Sequence, residues 1–133
     1  MRIYLAGSYS RREELLGYAG ILEANGHTVT SSWLKGEHSE HDADIGRGID
    51  PSLARSFAEQ DIEDIRTSDV MISFTGGSGE GNHRGGRHVE FGIAIERALL
   101  VGIVGPYENV FHYRVRRTDT FDEMLPHINE MRR

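Results

Sequence analysis

Three short apolar runs, Ile3–Ala6, Val70–Thr75 and Leu100–Val104, each stop at a glycine: Gly7, Gly76 and Gly105. Such runs, bounded by a turn residue, fit strands buried on both faces, the kind found in parallel sheets. The segments between them carry helical spacing. Leu15, Leu16, Ala19, Ile21 and Leu22 define one helix, stopped at Asn25-Gly26. Ser52–Thr67 reads as a second, with Ser52 as N-cap after Pro51, and Val89–Leu99 as a third. His27–Trp33 alternates around Val29 and predicts another strand; Val115–Arg117 begins a short fifth; Phe121–Met131 predicts a terminal helix, weakened by Pro126. Strands alternating with helices imply an α/β fold with a doubly wound, mostly parallel sheet. The 133 residues suit one domain with a single core, spanning 1–133.

Sheets of this kind bind ligands beyond the carboxyl ends of their strands. The first and third strands should therefore open their loops, Gly7 to Arg12 and Gly76 to Arg87, on one edge. The second loop holds six glycines from Gly76 to Gly86, which let a ligand approach the backbone. The third helix follows it and brings Glu90 into its first turn, where an anion is favoured and should stay ionised. An ionised carboxylate there is a candidate nucleophile. Gly92, on the same helix, would allow close packing against the loop's contents. A plain first-turn acid would read the same way, and only the glycine-crowded setting shifts the balance. His83, Arg84, Arg87 and His88, with the helix start and Gly86, could seat a phosphate. Ser8, Ser10, Arg11 and Arg12 could form a second set of anion contacts. Tyr4, Tyr9 and Trp33 are candidates for stacking on a planar ligand, although core packing is the commoner fate of such residues.

Asp61 stands out on the second helix. Leu53, Phe57, Asp61 and Ile65 share one face at a spacing of four, and that face is otherwise apolar. A carboxylate on a core stripe is costly unless it is paired or functional. Glu59, Glu63 and Asp64 read as a solvated face.

Several function classes are disfavoured. The net charge of -6 argues against binding a nucleic acid polymer. No cysteine is present, so neither disulfides nor thiolate chemistry can occur. No apolar run is long enough for a signal peptide or a membrane span, which points to a soluble, cytoplasmic protein. The loops match neither a Walker A motif nor a dinucleotide fingerprint, so no nucleotide cofactor is expected. His38, His41, Asp42 and Asp44 crowd together in a polar stretch, Lys35–Asp50, that reads as a loop or lid rather than a metal site.

Taken in order, four segments resemble the nucleoside 2-deoxyribosyltransferase family, including its nucleotide N-glycosidase branch. They are Tyr4-Leu5-Ala6-Gly7-Ser8, Glu59-Gln60-Asp61-Ile62 before Ser68-Asp69-Val70, Val89-Glu90-Phe91-Gly92, and Gly105-Pro106-Tyr107-Glu108-Asn109-Val110-Phe111. The resemblance implies a flavodoxin-like, five-stranded fold and cleavage of the bond between sugar and base. It implies that Glu90 is the nucleophile on the anomeric carbon and that Asp61 lies by sugar and base. It also implies association as a homodimer or larger assembly, in which a segment such as Asn109–Tyr113 completes a neighbour's site. The family's nucleoside transferases tend to carry an acid six positions before the nucleophile, and its nucleotide hydrolases a small polar residue. Arg84 stands there in this chain. A guanidinium suits a 5′-phosphate, which favours a 5′-monophosphate substrate. No metal or redox cofactor is implied. Two other readings remain at this point. The Gly-Gly-x-Gly run is similar to that of lysine-decarboxylase-like phosphoribohydrolases, but lacks their flanking Pro and Thr. A nucleotide-sensing module would keep the pocket without turnover.

Overall fold

The computed structural model describes residues 1–35, 50–77 and 85–131. Five parallel strands form one sheet in the order β2-β1-β3-β4-β5. They are β1 (Arg2–Ala6), β2 (Thr28–Val29), β3 (Val70–Phe74), β4 (Leu100–Val104) and β5 (Arg116–Thr118). Helices α1 (Arg12–Ala24), α2 (Pro51–Arg66), α3 (Gly86–Glu96) and α4 (Phe121–Glu130) connect and flank them. The chain runs from β1 outward to β2 and then returns past β1 to β3. That reversal leaves a crevice at the strands' carboxyl ends. Because Ile3 pairs with Val70 and Ala6 with Ser73, the loops that start at Gly7 and Thr75 open on the same edge, as the apolar runs predict.

Alternation along the paired strands puts Tyr4, Ala6, Met71 and Ser73 on one face, and Ile3, Leu5, Ile72 and Phe74 on the other. The second face is covered by α1 and α4. Tyr18 of α1 stacks on Phe121 of α4 at 4.3 Å and on Phe74 at 5.4 Å. A Cβ at Gly102 would sit 3.0 Å from Met124, so the missing side chain in β4 is what lets α4 lie close. Against the Tyr4 face packs α3, which carries Glu90, and α2, which carries Asp61, packs on α3.

Four boundaries differ from the sequence expectation, each for a local reason. The strand expected over His27–Trp33 is confined to Thr28–Val29. Thr30 N–H still donates to Ile3 O at 2.8 Å, but side chains then replace the ladder. Ser31 Oγ accepts from Leu5 N–H at 2.6 Å, and both Ser31 Oγ and Trp33 Nε1 donate to Leu5 O. With that edge satisfied, the chain turns inward and Ser32–Lys35 close a 3-10 turn. In α2 the N-cap is Asp50, not Ser52, because Pro51 takes the first helical position, where its missing N–H costs nothing. Helix α3 starts at Gly86, turned in by Gly85 at φ +87, so Glu90 lies beyond the first turn and loses much of the expected dipole benefit. The fifth strand is shifted by one residue, to Arg116–Thr118, because Val115 closes the preceding 3-10 turn, donating its N–H to His112 O. Pro126 does lie inside α4, whose start is secured by a reciprocal capping box between Thr120 and Glu123.

Candidate active site

The strand, not a loop, supplies the first polar group. Tyr4 on β1 is fully buried, and its hydroxyl donates to Glu90 Oε2 at 2.5 Å. Burial above all, and then the negative charges of Glu90 and Asp61, push the Tyr4 phenol well above its ordinary pKa. The hydroxyl therefore keeps its proton and can act only as a donor to Glu90. Asp61 and Glu90, both half-buried, bring their negative charges to bear on this one hydroxyl. Tyr4 is thus a hydrogen-bond donor within the core and has no open face for stacking.

The rest of α2 departs from its pattern at two points. Ile65 is buried, but Leu53 is 46% exposed, so the apolar stripe fails in the first turn. Asp64, expected on a solvated face, is buried. Its Oδ2 accepts Ser32 N–H at 2.9 Å and its Oδ1 accepts Gln60 Nε2 at 2.8 Å. The short strand β2 is the reason: once the chain turns at Ser32, its free N–H needs a partner, and α2 supplies a carboxylate.

After β1, Ser8 caps the 3-10 turn Tyr9–Arg11, and its Oγ lies 2.8 Å from Ser10 Oγ. Arg11 gives two donors to Glu14, at 2.8 and 2.9 Å, and a third to Thr75 O at 3.1 Å. It ties the β1 and β3 loops together, with these donors committed inside the chain. Tyr9 is half-buried, with its ring 6.3 Å from that of Trp33. Trp33 is buried and held by Leu5 O, which makes it a core residue rather than a ligand platform. At Gly7 a Cβ would come within 3.1 Å of Leu15.

After β3 the backbone must be glycine. Gly76 has φ +72, and a Cβ there would sit 3.0 Å from Pro106. Its N–H donates to Glu108 Oε2 at 3.1 Å, while Arg87 Nη2 donates to Glu108 Oε1 at 2.8 Å. His88 Nε2 lies 3.7 Å from the same oxygen. Burial opposes ionisation of Glu108, but the bonds from Arg87 and Gly76 outweigh it and hold the carboxyl below its usual range. Glu108 N–H in turn donates to His112 Nδ1 at 3.1 Å, which leaves the ring proton on Nε2. Burial, followed by the charges of His88 and Arg87, lowers the His112 pKa and keeps the ring neutral, against the pull of Glu108. Asn109 caps the turn Val110–Arg114: its Oδ1 accepts the N–H groups of Phe111 and His112 at 3.0 and 3.2 Å. Its Nδ2 lies 3.5 Å from His88.

Of the residues singled out from sequence, Tyr4, Asp61 and Glu90 come together on one face of the sheet. Gly76 and Arg87 bond to Glu108, Asn109 lies beside His88, and Gly86 opens the helix that carries Arg87 and Glu90. Arg84, His83, His38, His41, Asp42 and Asp44 lie outside the described residues. Gly92 is exposed and a Cβ there would meet nothing within 4 Å, so it is not a close-packing position. Sequence reasoning missed Glu108 and His112 as site residues. The available signal was position: Glu108 follows Gly105-Pro106 at the end of a central strand, where the sheet's ligand edge lies. Among the described residues, no group of three or more His, Asp or Glu could hold a metal ion, and no helix is long and apolar enough to cross a membrane.

No protein-family profile and no curated protein matches the chain by sequence. Solved structures do match it. A CMP N-glycosidase from Clostridium botulinum superposes with a TM-score of 0.61 at 17% identity, over 98% of this chain and 100% of that one. A 2-deoxyribosyltransferase from Bacillus psychrosaccharolyticus superposes with a TM-score of 0.70 at 16% identity, over 99% of this chain and 93% of the other. At this identity the likeness establishes the architecture: the chain has, over nearly its whole length, the α/β fold of these two enzymes.

Proposed function

We propose that the protein cleaves the N-glycosidic bond of a nucleoside, ribo or 2′-deoxy, or of its 5′-monophosphate, through a covalent intermediate on Glu90. The observation that carries this reading is the bond from Tyr4 to Glu90 Oε2. A buried phenol that keeps its proton holds one carboxylate oxygen and so orients the group, whose other oxygen attacks C1′. The C1′–N bond breaks with its electron pair going to the base, which takes up a proton, and a glycosyl ester forms on Glu90. Water then attacks C1′, loses a proton and frees the carboxylate; a second base in place of water gives transfer. Asp61, sharing the crevice with Glu90, orients the sugar or passes the proton to the departing base. Neither step calls for a metal or redox cofactor. Hydrolysis of a 5′-monophosphate is the form favoured by Arg84.

One described feature favours a second form, transfer between free nucleosides: Glu108 already places a negative charge on Arg87 and Gly76. Self-association is part of the same proposal. Val110, Phe111 and Tyr113 are 74%, 69% and 73% exposed beside Asn109, an apolar knuckle that a second copy would cover. Free base released from a panel of nucleosides and nucleotides, with and without an acceptor base, tests the reaction. Release by the wild type and its loss in Glu90→Ala are expected. A folded protein that releases no base from any substrate would leave the ligand-sensing reading in its place.

A further inference from the structure

Glu108 has no role in the chemistry above, yet both of its carboxylate oxygens are bonded within the crevice. Its two oxygens are held separately, one by the Arg87 guanidinium at 2.8 Å and one by the Gly76 N–H at 3.1 Å. A guanidinium and a glycine-loop amide converging on two oxygens of one anion is the donor set that suits a phosphate group. Here the anion belongs to the chain itself. We infer that Glu108 is a specificity-determining residue, whose carboxylate occupies the seat a substrate 5′-phosphate would take and so turns the site toward an uncharged 5′ end.

The placement rests on the proposed attack by Glu90, since that fixes where C1′ sits. Arg87 and Glu90 are three residues apart on α3, hence neighbours on one face with ~4.5 Å of rise between them. That offset is comparable with the reach from C1′ to the 5′ carbon of a pentose. The Arg87 and Glu108 side chains are only 12% and 24% exposed, so solvent screens them weakly. A phosphate brought to Arg87 would have to displace Glu108 or sit against it, and like charges at close range disfavour both. An uncharged hydroxymethyl end could instead donate to the carboxylate.

The test compares kcat/KM for a nucleoside and for its own 5′-monophosphate. Glu108→Gln removes the charge and keeps the shape, so the monophosphate-to-nucleoside ratio should rise at least tenfold. Arg87→Gln removes the guanidinium bonded to Glu108 and keeps its negative charge, so the ratio should fall at least tenfold. A purely structural Glu108 would lower both substrates alike and leave both ratios unchanged, which overturns the inference, as does a shift of either ratio in the opposite direction. Should Glu108→Gln fail to fold, the same ratio is read on Glu108→Ala, and no rise there overturns the inference. Binding separates this inference from the proposed reaction. Glu90→Ala, with and without Glu108→Gln, is titrated with the same two ligands. No turnover by the wild type sinks the reaction, while an at least tenfold gain in monophosphate over nucleoside affinity on Glu108→Gln would still uphold the Glu108 assignment. No such gain refutes it.

Discussion

Tyr4→Phe isolates a single hydrogen bond. The ring stays, the core volume stays, and the hydroxyl on Glu90 Oε2 is lost. The phenol is fully buried, so water cannot replace it from the strand side. A hydrogen bond to a charged group contributes about 1.5–3 kcal/mol. If the bond holds Glu90 in its attacking position, that loss appears in the barrier. At about 1.36 kcal/mol per tenfold, kcat/KM falls roughly 10- to 150-fold. KM should change little, because the phenol touches the nucleophile and not the substrate. The fold should tolerate the change, with a loss of about 0.5–2 kcal/mol in urea, since Glu90, the acceptor left behind, is only half-buried. The assay is base release under kcat/KM conditions, paired with equilibrium unfolding of the same preparation. Activity within twofold of wild type would refute the orienting role of Tyr4. So would a loss of activity that merely tracks loss of folded protein.

Four further outcomes test other parts of the structure. Gly105→Ala should destabilise by about 2–4 kcal/mol in urea unfolding, because φ is +121 and the new Cβ would fall 2.5 Å from Thr75 Oγ1 and 2.6 Å from Thr75 O. Asp64→Asn keeps one acceptor for the two donors Ser32 N–H and Gln60 Nε2, and should cost about 1–3 kcal/mol by the same measurement; no cost would mean that α2 does not anchor the turn at Ser32. Gly92→Ala should stabilise by about 0.5–1 kcal/mol, since the position is exposed within a helix and sterically open; destabilisation would restore a packing role for this glycine. Glu14 is held below its usual pKa first by its bond from Arg11 and further by Tyr18, against burial. Its folded-state pKa is depressed, so its contribution is present above the unfolded value of 4.5 and disappears as pH falls through the folded one. Glu14→Gln should therefore lose under about 1 kcal/mol at pH 7 and progressively less as pH falls below 4.5, a trend read from urea curves at several pH values.

Local pattern was enough for the architecture because the central strands are doubly buried. Apart from the Tyr4 hydroxyl, nothing polar lies within Ile3–Ala6 or Leu100–Val104, and each run stops at a glycine that the turn uses. At β2 the same kind of reading overreached. His27–Trp33 alternates like a strand, but its Ser and Thr carry oxygens that bond to β1 directly, and a side chain that substitutes for the ladder ends the strand without breaking the pattern. The site divides along a similar line. Glu90 and Asp61 could be singled out because each sits in a setting that is odd for a carboxylate: one behind a crowd of glycines, the other on an apolar stripe. Asp64 and Glu108 carried no such mark. Both look like ordinary surface acids until the fold gives them backbone partners, Ser32 N–H in one case and Gly76 N–H in the other. Those partners come from segments 32 residues away in the chain in both cases, beyond any helical or strand period. What separates a structural acid from a solvated one here is the unpaired N–H it meets after the chain has turned. Such a donor becomes visible only when strand order is known. With the order β2-β1-β3-β4-β5 in hand, the loops after β3 and β4 are neighbours, and a carboxylate following Gly105-Pro106 has the glycine loop within reach. Topology therefore adds to the sequence the one thing that the local pattern of Glu108 lacks, a reason for its charge to be inside the crevice.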